Sequence, residues 1–238
     1  MAAVMLSLAG LFASSFIASL ALASGLVGDT SIMAAMGIGN ALGLGGVATL
    51  AAQRIPQPHG ERLGLQGFSP TLVGALLCLL PVIFLVSEID NLMKVLLPLP
   101  TPGAGSAGGA PPPLEGLYLV EWSVVLIGVL PVVEEVFFRG LLQPPMVEAW
   151  GRLRGVAVCS GLSGLAFAVG LMNPAMFGIL AARGLVMGLL RESAASVKPG
   201  LALNIGFGVI SVMAMREAFG LPGFDASEAA HTPLVWLM

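Results

Sequence analysis

The chain is short of charge. Asp, Glu, Lys and Arg make up only 10% of its 238 residues, against 57% hydrophobic ones. So few polar groups cannot cover the surface of a water-soluble globule, which excludes a soluble domain of useful size. Cysteine is scarce too: Cys78 and Cys159 both fall in apolar runs, so a disulfide framework is excluded and two small buried hydrophobes are expected. Histidine is limited to His59 and His231, far apart in predicted loops, which does not support a three-ligand site of His and carboxylate. No metal and no cofactor are expected. The net charge of −3 and the scattered basic residues, with no stripe of them, point away from nucleic acid.

What is present is one long apolar run after another, with a mean hydropathy of +0.96. A spanning helix needs roughly 20 mostly apolar residues. Spans are predicted at Ala3–Leu26, Ser31–Ala52, Pro70–Val86, Leu117–Phe138, Gly155–Met172, Pro174–Leu190 and Gly200–Met215. The expected fold class is an all-α polytopic bundle of about seven transmembrane helices in the lipid bilayer, with the "NLMKVLLPLP" stretch near Asn91 as a candidate partial eighth. The first run lacks a positive n-region and is too long for a signal-peptide core, so it is read as a retained span.

Charge asymmetry tests this topology, because Lys and Arg favour cytoplasmic loops. With the N-terminus inside, the inner loops hold Arg54, Arg62, Arg152, Arg154, Arg191 and Lys198, while the outer ones hold only Lys94 and Arg216. Most acidic loop residues, among them Asp29, Glu88, Glu115 and Asp225, then lie outside. An integral protein of the plasma (inner) membrane with a cytoplasmic N-terminus is expected. The chain divides into N-terminal helices (1–87), a Pro/Gly-rich extracytoplasmic connector (88–116), a helical core (117–215) and a C-terminal tail (216–238). "PLPTPGAGSAGGAPPP" within the connector cannot hold a regular helix. Gly39 and Gly43, and again Gly184 and Gly188, have the small-xxx-small spacing of closely packed helices; the first pair lacks the strand and full fingerprint of a phosphate loop.

Five ionisable residues fall inside or at the edge of predicted spans: Glu121, Glu134, Glu135, Arg139 and Arg183. Each costs at least about 2.5 kcal/mol at mid-bilayer, so such residues usually face a polar interior. Glu135 and Arg139 are four apart with the acid first, the favourable order for an ion pair on one helix face. Glu134 points about 100° away. Arg139 is expected to neutralise Glu135, leaving Glu134 free to face a cavity as a general base for water. Pro131, just upstream, removes a backbone hydrogen bond and opens the helix there. Spacing fits equally well an interfacial cluster that only anchors the helix end. Glu121 reads as an interfacial residue. Arg183 needs a partner, for which Glu134, Glu135 and a helix-end carbonyl are all open.

The stretch "EEVFFRG", Glu134 to Gly140, resembles the EExxFRG signature of the CAAX protease and bacteriocin-processing family of intramembrane endopeptidases. "GLVMGLLRESAASVKPGLAL", Gly184 to Leu203, is similar in register to a second segment of that family. The resemblance covers about Leu117 to Val212; the first three spans carry none of it. It implies a helical core open to the cytoplasm, in which Glu134 activates water to cleave a peptide bond, with Glu135 and Arg139 as a supporting pair. The family's motif histidines are missing: Gly170 stands at one position, Asn204 at another, and Gly208 where a later Asn or similar residue belongs. An Asn amide can donate to an oxyanion, so Asn204 is expected to keep part of that role, while Gly170 supplies no side-chain chemistry. Losing an acid/base partner typically costs 10²–10⁴-fold in rate.

Two functions follow. One is an intramembrane endopeptidase, degenerate or not, that cuts a membrane-associated peptide or protein near the cytoplasmic face, with His59 or water replacing the missing histidine. The other is a non-hydrolytic membrane scaffold or partner-binding subunit on the same fold. A transporter is weaker, because the spans show no obvious inverted repeat.

Overall fold

Prolines and glycines punctuate the apolar runs, and the helix ends follow them. The computed structural model describes residues 2–25, 32–96, 115–170, 176–216, 218–221 and 224. Among these there is no β-strand. The helices in chain order are α1 (Ala2–Ala23), α2 (32–52), α3 (Leu72–Leu79), α4 (Val82–Leu96), α5 (116–150), α6 (Arg152–Gly170), α7 (Met176–Ala194) and α8 (Lys198–Met215), with one further helical turn at His59–Arg62.

Five segments are long and apolar enough to cross a membrane: Val4–Ala23, Met33–Ala52, Leu72–Ile89, Gly116–Trp150 and Lys198–Met215. Both α6 and α7 form where spans are predicted, but arginines and small residues keep them outside that set. The chain is thus all-α and of membrane-embedded type. Large apolar side chains stand on the outer surface, Phe12 and Leu153 at 75% and Leu117 at 83% exposure. A bilayer accepts such a surface and water does not.

Three boundaries differ from the sequence reading. The predicted third span is broken at Leu80–Pro81, where the proline removes a backbone donor, so it splits into α3 and α4. α4 then continues to Leu96, which makes Asn91–Leu96 part of that helix and the first residues of the 88–116 connector helical. The proline-rich run itself lies outside the described residues, as do His231 and most of the 216–238 tail. α5 runs well past Phe138 to Trp150 and ends at Gly151, whose φ of 79° favours glycine.

Wide π-helical turns interrupt α5 twice, at Val124–Val129 and Glu135–Leu142, and α2 once, at Asn40–Leu44. In α5 each π stretch is followed two residues later by proline, Pro131 and Pro144. A proline ring crowds the carbonyl four residues earlier, and a wider turn moves that carbonyl away. The charged motif therefore lies on a locally widened helix, a feature frequent at functional sites.

The first helices buttress this segment. Gly39 and Gly43 of α2 press against the backbone of α1 at Ser14, so close that a methyl group on Gly39 would lie 2.5 Å from the Ser14 carbonyl oxygen. Gly10 of α1 faces the Phe137 ring, which leaves no room for a larger residue. Phe137 and Phe138 are wholly buried, at 0% exposure, against Leu44, Leu63, Cys159 and Phe167. At the far side, Gly64 and Gln66 grip the turn before α8: Val197 N–H donates to the Gly64 carbonyl at 2.8 Å, and the Ser196 hydroxyl to that of Gln66 at 2.7 Å. These bonds fix where α8 starts, and with it the depth of Asn204. Both cysteines are free; Cys159 is buried as expected, whereas Cys78 is exposed on the apolar exterior.

Candidate active site

The three charges of the EEVFFRG stretch do not mark a helix end. α5 continues past them, and Glu134, Glu135 and Arg139 are 5%, 1% and 2% exposed, so they belong to the bundle interior. That observation removes the interfacial-anchor reading, since an anchor sits where water reaches it.

Glu134 is not the free carboxylate expected from the sequence. Its Oε2 accepts from Arg183 Nη2 at 2.6 Å and from Asn204 Nδ2 at 3.2 Å. α5 supplies the acid, α7 the guanidinium and α8 the amide. The partner left open for Arg183 is therefore Glu134. A carboxylate buried among apolar helices needs a countercharge and donors to remain in place, and Arg183 and Asn204 supply both. The two bonds end on the same oxygen, which leaves Oε1 outside them.

The expected Glu135–Arg139 pair is looser than its spacing implies. Arg139 Nε lies 3.9 Å from Glu135 Oε1, and neither Glu135 oxygen has a hydrogen-bond partner among the described residues. Arg139 instead donates from Nη2 to the Gly184 carbonyl at 3.0 Å. The π turn changes the relative direction of the two side chains, and the guanidinium reaches across to α7. Gly200 lets the Glu135 carboxylate approach α8: a methyl group there would lie 2.7 Å from Glu135 Oε2.

Gln143 escaped the sequence reading. It is fully buried, and its amide donates to the Gly188 carbonyl at 2.9 Å and to Glu192 Oε1 at 2.8 Å. Its signal was there: Gln143 follows Arg139 by four residues as Gly188 follows Gly184. Partner numbers rise together along both helices, so α5 and α7 run in the same direction where they touch. The Gly184/Gly188 spacing thus admits polar side chains to bare backbone as well as close helix packing. Arg139 Nη2 comes within 2.8 Å, and Gln143 Oε1 within 2.9 Å, of where methyl groups on these glycines would be.

Of the other motif positions, Gly170 is the last residue of α6. Gly208 packs onto the α5 backbone, where a methyl group would lie 2.5 Å from the Leu126 carbonyl oxygen, so no side chain fits without moving a helix. His59 has its ring Nε2 3.0 Å from the Ile55 carbonyl oxygen in its own turn. Glu134, Arg183 and Asn204 come together; no described contact links them to His59. A cavity of about 260 Å³ opens beside Arg183, lined also by Ile83, Ser87, Ile179, Phe207 and Ser211.

The family model described as type II CAAX prenyl endopeptidase, Rce1-like, matches residues 116–210. No curated protein and no solved structure matches the chain. The matched stretch opens with α5 and closes within α8, so it contains Glu134, Glu135, Arg139, Arg183 and Asn204, while α1 to α4 lie outside it. That family points to a CAAX intramembrane protease-like function. Residues 116–210 are thus similar to the Rce1-like type II CAAX prenyl endopeptidase family, in keeping with the resemblance of the EEVFFRG stretch.

Proposed function

We propose that the chain is an intramembrane endopeptidase-like protein that holds a membrane-associated peptide or protein beside Glu134 and hydrolyses it slowly. The observation that carries this reading is the meeting of Glu134 and Asn204 inside the bundle, with both described bonds on Oε2. Glu134 Oε1 takes a proton from water as the water oxygen attacks the peptide carbonyl. Asn204 has two amide N–H groups and gives one to Glu134; in this reading the other turns to the developing oxyanion when substrate is bound. Glu134 then returns its proton to the amine nitrogen as the C–N bond breaks, which yields a carboxylic acid and an amine. Arg183 fixes the orientation of the base, and Glu135 with Arg139 and Gln143 holds α5 against α7 and α8.

Glycine at 170 and 208 removes two side chains that the family resemblance assigns to catalysis. Each such loss lowers the rate by roughly 10²–10⁴-fold. A second reading, a non-hydrolytic subunit that binds a membrane partner through the same core, is favoured by the 2.6 Å bond that ties Glu134 to Arg183. The decisive experiment uses the full chain in detergent with a panel of membrane-associated peptides, scoring both binding and cleavage for wild type and Glu134→Ala. Cleavage lost in a folded Glu134→Ala protein supports the peptidase; binding without cleavage in either supports the second reading; neither binding nor cleavage removes both.

A further inference from the structure

The cavity beside Arg183 is not used by the chemistry above. It lies between α4, α7 and α8, with Phe224 from beyond α8 as a further wall, and its lining is apolar apart from Arg183 and the hydroxyls of Ser87 and Ser211. Arg183 carries five N–H donors, of which one is spent on Glu134 Oε2 among the described residues. The side chain retains 26% of its surface, and it is the charged group of the cavity lining. On α8, Phe207 and Ser211 line the cavity on the face that carries Asn204 one turn earlier, so the cavity lies next to the site and shares Arg183 with it.

We propose that this cavity binds a single-chain amphiphilic carboxylate of the fatty-acid type, with its carboxylate on Arg183 and its chain along Ile83, Ile179 and Phe207. Three features select that class. Ile83 and Ser87 lie in the span Leu72–Ile89, and Phe207 and Ser211 in the span Lys198–Met215, so a ligand enters from the lipid phase and must be apolar for most of its length. The guanidinium's remaining donors call for an anion, and a planar fork matches a carboxylate. The volume of about 260 Å³ is below that of typical drug-sized pockets, which suits one chain and not a two-chain lipid. The ligand shares Arg183 with Glu134, so the two carboxylates compete for one guanidinium and repel each other across it. Occupancy of the cavity therefore loosens the hold on the base. This coupling bears on the peptidase-like reading, but binding itself stands whether or not the chain hydrolyses anything.

The test places the full chain in nanodiscs of uncharged phosphatidylcholine and labels it with a diazirine analogue of decanoate, mapping the adduct by mass spectrometry. Adducts are expected at residues 179–183 and 207–215; labelling spread evenly over the lipid-facing surface overturns the site. Decanoate should compete for labelling about ten- to a hundredfold better than decanol, the neutral control that lacks the charge-assisted bonds. Equal competition overturns the role of Arg183, and equal displacement by dioctanoyl phosphatidylglycerol overturns the single-chain assignment. Ser211→Phe fills the cavity while leaving the Arg183–Glu134 bond in place, and should abolish site labelling in a protein that still elutes as one species. Glu134→Gln removes the competing charge and should tighten decanoate about fivefold; unchanged or weaker binding in that variant refutes the shared guanidinium.

Discussion

Replacing Arg183 by Gln isolates the interaction on which the site depends. The variant strands a Glu134 that is 5% exposed, with Asn204 as its remaining described donor. Removing one member of a fully buried ion pair costs about 3–5 kcal/mol. Because the Arg183 side chain keeps 26% of its surface, part of its attraction is already screened, and we expect about 2–3 kcal/mol here. In a chain of this size each kcal/mol moves the melting midpoint by about 2–4 °C, so Arg183→Gln should lower it by roughly 4–12 °C. Glu134→Gln alone should cost less, about 1 kcal/mol, since the freed guanidinium still reaches the cavity. The double variant replaces the ion pair by two amides that can bond each other, and should be no worse than about 1–2 kcal/mol. Thermal unfolding in detergent, followed by circular dichroism for all four proteins, gives the coupling energy directly. A double variant whose loss equals the sum of the singles within about 0.5 kcal/mol would show that the two side chains do not interact, and the site as described would fail.

Arg139→Ala removes both the bond to the Gly184 carbonyl and the charge facing Glu135, so folded yield in detergent should fall with a loss of about 3 kcal/mol. Arg139→Lys should recover little of it, because one ammonium cannot serve both partners. Gln143→Leu should cost about 1–2 kcal/mol in thermal unfolding, as it deletes the bonds to Gly188 and Glu192. Gly43→Ala drives a methyl group into the Ser14 backbone of α1 and should destabilise by about 1–3 kcal/mol without altering peptide binding to the core. A neutral Gly43→Ala would show that α1 and α2 are not packed as closely as described.

Much of the local design is legible in the sequence. Apolar runs give the helices, and the EEVFFRG stretch singles out the charged turn of α5. The long-range pairing is not legible. Glu134 and Arg183 lie on different helices, and spacing along a chain says nothing of which face of α7 meets α5; only the packing of Gly184 and Gly188 against Arg139 and Gln143 sets it. The Glu135–Arg139 pair shows the opposite error. Spacing of four promises a close contact on an α-helix, but the π turn from Glu135 to Leu142 changes the geometry, and Arg139 finds a backbone carbonyl across the interface instead. The length of α5 is hidden in the sequence for a related reason, since charges at Glu134 to Arg139 look like the end of a span unless α7 and α8 shelter them.

Gly208 limits what a restored side chain can do. If the chain had simply lost a side chain from an otherwise intact peptidase site, restoring one should raise hydrolysis. At Gly208, however, the α8 backbone lies directly against α5, with the Leu126 carbonyl oxygen 2.5 Å from where a methyl group would be. A larger residue must therefore push α8 away from α5, and Asn204, one helical turn earlier on α8, would move with it, breaking the 3.2 Å bond to Glu134. Gly208→Asn should thus lower stability by about 1–3 kcal/mol and bring no gain in cleavage of any peptide in the panel. A stable Gly208→Asn protein with raised turnover would mean that α8 can shift at little cost, and that the close α5–α8 contact does not define the site.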